Sequence, residues 1–154
     1  MAAYSTVKSI ANNWIIKGNV ETNEFNKFIC YWISFNCFYN HRTNSSGDRT
    51  AINKLINDSN VTMSYNGAIT TETQSLLYNL KNVCPVYNLK NPSQGVNITD
   101  TSNFAQVVNV IYQIRCNLFH GGKGETDVRD LLVINAATPV LEFVVKTLVE
   151  VYLP

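Results

Sequence analysis

The chain has 154 residues, enough for one domain with a buried core. Hydrophobic residues make up 45% and charged residues only 15%, so Asn, Ser and Thr must supply much of the polar surface. A net charge of +1 excludes a whole-molecule field that draws in a polyanion and leaves any nucleic-acid contact to a local basic patch, whether on one chain or assembled between subunits.

The N-terminus shows no basic stretch followed by a continuous apolar run, so no signal peptide is expected. The most apolar run, Phe28 to Tyr39, would be about 18 Å long as a helix at ~1.5 Å per residue. That is too short to span a bilayer, and Ser34 and Asn36 interrupt it. The expectation is a cytoplasmic protein with no membrane partner and four reduced cysteines.

Taken in chain order, Val7, Ile10, Ala11 and Trp14 form a first helical stripe, with Gly18-Asn19 as its stop. A second helix is predicted from Thr22 or Asn23 to about His41. Phe25, Phe28, Ile29, Trp32, Phe35, Asn36 and Tyr39 line one side, while Cys30, Ile33 and Cys37 make the other side apolar too. A helix that is hydrophobic nearly all round is buried on two faces, which places this one at the centre of the domain. Thr43 to Asp48 has turn composition. Short helices are predicted over Arg49 to Asn57 and Glu72 to Val83, the latter ended by Cys84-Pro85. Residues 86–101, with Pro92 and Gly95, read as a long surface connection.

The strongest helical signal follows. Asp100 or Ser102 caps it, and Phe104, Val107, Val108, Ile111, Ile114 and Leu118 recur at helical spacing. Gly121-Gly122 is its stop. Thr126 caps a last helix, rich in Leu, Ile and Val, in which Pro139 is predicted to produce a kink near Asn135 or a break.

Candidate chemistry gathers at the end of the strongest helix, in Arg115-Cys-Asn-Leu-Phe-His120. Five positions at ~100° each leave Arg115 and His120 about 140° apart on an ideal helix, with ~7.5 Å of rise between them. Asn117 and His120, at a spacing of three, do share a face. An intact site therefore needs a long reach by Arg115, an opened last turn, or a second copy of the chain. An arginine offers a planar fork to phosphate oxygens, and a histidine moves protons near neutrality. Together they suit phosphodiester cleavage without a metal. Asn117 is a candidate to hold the imidazole or the phosphate. Arg-x4-His by itself is common and far more often describes a surface ion pair beside a helix cap.

Tyr112-Gln-Ile-Arg-Cys-Asn-Leu-Phe-His-Gly-Gly-Lys123 resembles the Arg-x4-to-6-His signature of the HEPN superfamily, and Phe28 to Tyr39 resembles the aromatic core helix that precedes the motif there. The resemblance follows element order over residues 22–152 and is weakest over 43–101. It implies an all-α, antiparallel helical bundle over the whole chain, with the motif at the C-terminal end of a core helix. It also implies a homodimer and metal-independent RNA cleavage in defence or toxin–antitoxin settings. Arg115 and His120 map to the catalytic pair, with Asn117 as the polar residue between them. Some families place that polar residue directly after the arginine, where this chain has Cys116.

The resulting expectation is a metal-independent endoribonuclease without a cofactor. Arg115 stabilises the phosphate, His120 is general acid or base, Lys123 and Tyr112 are substrate contacts, and any antitoxin or regulator acts in trans. Core packing remains the favoured reading of Tyr112. Gly121-Gly-Lys-Gly124 lacks the spacing of a phosphate loop and reads as a helix stop. Two rivals stand beside this reading. One is a non-catalytic HEPN module binding nucleotide, RNA or a protein partner. The other is a zinc-stabilised interaction domain drawing on Cys30, Cys37, His41, Cys116 and His120, although no C-x-x-C pair is present.

Overall fold

A computed structural model describes residues 6–119 and 127–153. Helix starts are set by short polar side chains that take up otherwise orphaned backbone amides. Thr6 accepts from the Ser9 amide to begin α1 (Val7–Val20), and Asn23 accepts from Asn26 to begin α2 (Glu24–Thr43). α3 (Asp48–Leu55) follows a turn, and Asp58 caps α4 (Ser59–Ala68) through the Asn60 and Val61 amides. α5 (Thr71–Val83) opens with a reciprocal Thr70/Thr73 capping box. The hairpin β1 (Val86–Asn88) and β2 (Asn91–Val96) precedes α6 (Phe104–Phe119), where Asn103 accepts from the Gln106 amide. Asp127 caps α7 (Val128–Tyr152) by accepting from Asp130.

The described residues are thus mostly helical, with one small sheet. α2 packs against α1, α3 and α7, and α7 in turn meets α1, α4, α5 and α6. The two apolar helices therefore form the centre of the bundle. Phe28, Tyr31, Trp32, Phe35, Phe38 and Tyr39 of α2 are all buried, and rings meet edge-on at Trp32–Phe35 (5.6 Å) and Phe35–Tyr39 (5.3 Å).

Several expectations need correction. Gly18 does not stop α1. It lies inside the helix against Tyr31, where an added Cβ would come within 2.6 Å of the ring, so glycine here permits close approach of α1 to α2. Ile10 is exposed, and the buried stripe of α1 runs instead through Ala11, Ile15 and Gly18. Of the two outcomes expected at Pro139, the break does not occur: α7 continues through it as one element, with Ala137, Val140 and Leu141 around the proline buried. It is also long and apolar enough by composition to cross a membrane, yet 56% of its most apolar window is buried in the fold, as in a core helix. The segment 86–101 is not irregular throughout. Val86 pairs with Val96 and Tyr87 with Gly95 in an antiparallel hairpin, with a register shift between Tyr87 and Asn88. Pro92 is accommodated because β2 is an exposed edge strand. α4 has no counterpart in the sequence reading.

Candidate functional site

The 3.6-residue period of α6 sends Val107, Val108, Ile111 and Ile114 into the core. It leaves Tyr112, Arg115, Cys116 and Phe119 on an adjoining stripe. Arg115 does not project freely into water. Its Nη2 meets Asp48 Oδ2 at 3.2 Å, and its guanidinium lies 4.8 Å from the Phe119 ring and 5.8 Å from Trp32. Asp48 is delivered by the turn after α2, where Asn44 takes a left-handed backbone conformation and Gly47 stands at φ 100°. A side chain is strained at that φ, which explains the glycine. As the first residue of α3, Asp48 also places a negative charge where the helix dipole favours it.

The carboxylate is well supported. Asp48 Oδ1 accepts from the Tyr39 hydroxyl at 2.6 Å and from Asn36 Nδ2 at 3.1 Å. Asn36 Nδ2 also donates to Tyr39 Oη at 2.7 Å, and Asn40 donates to Asn36 Oδ1 at 3.2 Å. Burial, then the hydrogen bond to Asp48, push the Tyr39 hydroxyl well above its ordinary pKa, so it stays a donor. Two atoms of this cluster remain buried without a partner among the described residues: Arg115 Nε, a donor, and Asn40 Oδ1, an acceptor. Buried polar atoms are normally satisfied, so two orphans in one cluster set it apart from the rest of the core.

Arg49, next to Asp48, places its guanidinium 4.4 Å above the Tyr112 ring. Tyr112 in turn packs 6.1 Å from Trp32, so the two arginines flank one pair of rings. Tyr112 is only 8% exposed, and burial followed by the neighbouring Cys116 raises its pKa. It is a buried support of the site, not an open stacking platform.

Asn117 is 2% exposed and faces the other way. Its Nδ2 donates to Tyr87 O at 2.8 Å, while Oδ1 accepts from Leu89 N at 3.3 Å and Gln113 Nε2 at 2.9 Å. Those bonds commit its amide to holding the hairpin on α6, away from the role of positioning imidazole or phosphate. Leu118, read as core, is only partly buried and lines a small cavity with Val86, Ile114, Asn117, Asp130, Val133 and Ile134. His120 and Lys123 lie outside the described residues.

Asp48, Arg49, Asn36 and Tyr39 were missed by sequence reasoning about this site. The available signal was Asn36 itself, an amide in an otherwise aromatic and aliphatic stretch of α2, which demands a buried polar partner. Among the described residues no three His, Cys, Asp or Glu side chains come together so as to hold a metal ion. Burial raises the Cys30 and Cys37 thiols, which disfavours the thiolate a metal requires. Comparison of the chain with protein-family models, with curated proteins and with solved structures finds no match.

Proposed function

We propose that this protein is a HEPN-like, metal-independent endoribonuclease in which Arg115 binds the scissile phosphate and His120 transfers protons. The observation that carries the reading is the state of Arg115. Within a hexapeptide resembling a known ribonuclease motif, its guanidinium is oriented by Asp48 and two rings while the side chain keeps 29% of its surface exposed. A non-bridging phosphate oxygen is the acceptor that the exposed edge of a guanidinium suits.

In the proposed reaction the RNA 2′-oxygen attacks the adjacent phosphorus and the bond to the 5′-oxygen breaks. The 2′-hydroxyl proton passes to a base, and the departing 5′-oxygen receives one from an acid. His120 is the group in the motif whose ordinary pKa suits either transfer near neutrality. Arg115 offsets the charge that builds on the phosphoryl oxygens. The proposal extends to a cytoplasmic homodimer of HEPN-type bundles, restrained in trans by an antitoxin or other regulator.

The test is incubation with an all-RNA and an all-2′-deoxy oligonucleotide in EDTA. Cleavage of RNA alone, leaving 2′,3′-cyclic phosphate ends, is expected. Loss of cutting in chelator, or cutting of the DNA strand, overturns the mechanism. A second reading, an RNA- or nucleotide-binding module without cleavage, is favoured by one observation: Asp48 already occupies an edge of the Arg115 guanidinium. It calls for binding to intact RNA with no cyclic-phosphate product.

A further inference from the structure

We infer that Arg49 is a second phosphate-binding residue of this site, contacting the phosphate next to the one Arg115 holds on a single RNA strand. The inference rests on the ribonuclease reading and adds a residue that the hexapeptide does not contain.

The sequence has four arginines, and three are already engaged. Arg42 pairs with Asp58 at 2.8 Å, Arg115 with Asp48 at 3.2 Å, and Arg129 donates to the carbonyls of Val83 and Pro85 at 2.6 and 3.1 Å. Arg49 differs from all of them. Among the described residues its guanidinium has no carboxylate or carbonyl partner, only the face of Tyr112. Stacking fixes the guanidinium plane without using its N–H donors, which radiate from the edge. The result is a held cation with its hydrogen-bonding capacity free.

Its position gives that capacity a target. Arg49 directly follows Asp48, ~3.8 Å away along the Cα trace, and Asp48 touches Arg115. Asp48 contributes one negative charge against the two positive charges of Arg49 and Arg115, so the cluster keeps a net positive charge. That is the local basic patch that a nearly neutral chain needs in order to bind RNA. Tyr112 then acts as a positioning residue, since it holds Arg49 and is too buried to stack on a base.

The experiment is fluorescence anisotropy of a labelled, uncleavable 2′-O-methyl RNA single strand over a series of KCl concentrations. It compares wild type, Arg49→Ala, Arg49→Lys, Arg115→Ala and Lys17→Ala, the last a cation over Trp14 on α1. Each phosphate contact on a single strand contributes ~0.7 to the slope of log K against log salt. Arg49→Ala is expected to weaken binding and flatten the slope by about 0.7 while melting with wild type. Arg49→Lys should restore the slope, and Lys17→Ala should leave it unchanged. If Arg115→Ala flattens the slope and Arg49→Ala does not, the inference fails and the ribonuclease reading stands. An equal loss in Lys17→Ala means diffuse attraction and overturns the second contact. A wild-type protein that binds no RNA overturns both.

Discussion

The Nη2 of Arg115 and the Oδ2 of Asp48 stand 3.2 Å apart, although 67 positions separate them in the sequence. The other carboxylate oxygen is held by Tyr39 and Asn36. Asp48 thus joins α2, the start of α3 and the end of α6, and it fixes the residue on which the proposed chemistry depends.

Removing that carboxylate should be costly. Asp48→Ala leaves the buried Tyr39 hydroxyl without its acceptor and strips one of the two bonds of the Asn36 amide, and a buried group stranded in this way costs about 1–3 kcal/mol. Asp48→Asn, which keeps an acceptor oxygen, should cost less. Thermal melting of the two variants checks the order. If both melt with wild type, Asp48 is not supporting the cluster.

Asn117→Ala separates structure from catalysis in the motif itself. The substitution strips bonds from Tyr87 O and Leu89 N, so a loss of about 1–3 kcal/mol is expected, with faster amide exchange confined to the hairpin first. Cleavage lost at an unchanged melting temperature and unchanged hairpin exchange would return Asn117 to the catalytic set.

Acid should weaken the fold through Asp58. The hydrogen bond from Arg42 holds its carboxyl below the usual range, and the α4 amides of Val61 and Asn60 add to this. A carboxylate whose folded pKa is depressed contributes stability that is fully present above its unfolded pKa of about 3.9 and is lost as pH falls through the folded value. Arg42→Ala should therefore reduce stability at neutral pH and flatten its decline between about pH 5 and the folded pKa. An identical pH–stability profile in the variant would refute the assignment.

Much of the architecture was legible because burial imposes a period. The apolar stripes of α2, α6 and α7 reveal central helices, and Asn23 marks the start of α2. The hairpin was illegible because β2 is almost wholly exposed and carries turn-like residues. Asn117, a distant residue in sequence, ties the hairpin backbone to α6 through Tyr87 O and Leu89 N. α4 was hidden by its Asn, Ser and Gly content, with Val61 and Tyr65 as its only buried residues. At the site, Arg115 was named from its local text. Its partners were not, because no local pattern says that a loop after α2 returns an aspartate to α6.

The proposed dimer is open to direct measurement. A spacing of five corresponds to about 140° on an ideal helix, and the proposal is that two copies facing each other across a two-fold axis bring Arg115 and His120 together. Sedimentation should find a dimer at micromolar concentration. A fully active monomer would contradict this part of the account.

The central claim is tested most directly by the RNA cleavage rate of His120→Ala in EDTA, with its melting temperature measured beside it. The account calls for a rate loss greater than the ~100-fold typical of removing a general acid or base, with stability changed by about 1 kcal/mol or less. Ile114→Ala, a cavity variant of a residue only 3% exposed, should do the reverse and cost about 2–5 kcal/mol. Cleavage by His120→Ala at the wild-type rate, or a wild-type protein that leaves RNA intact, would contradict the claim.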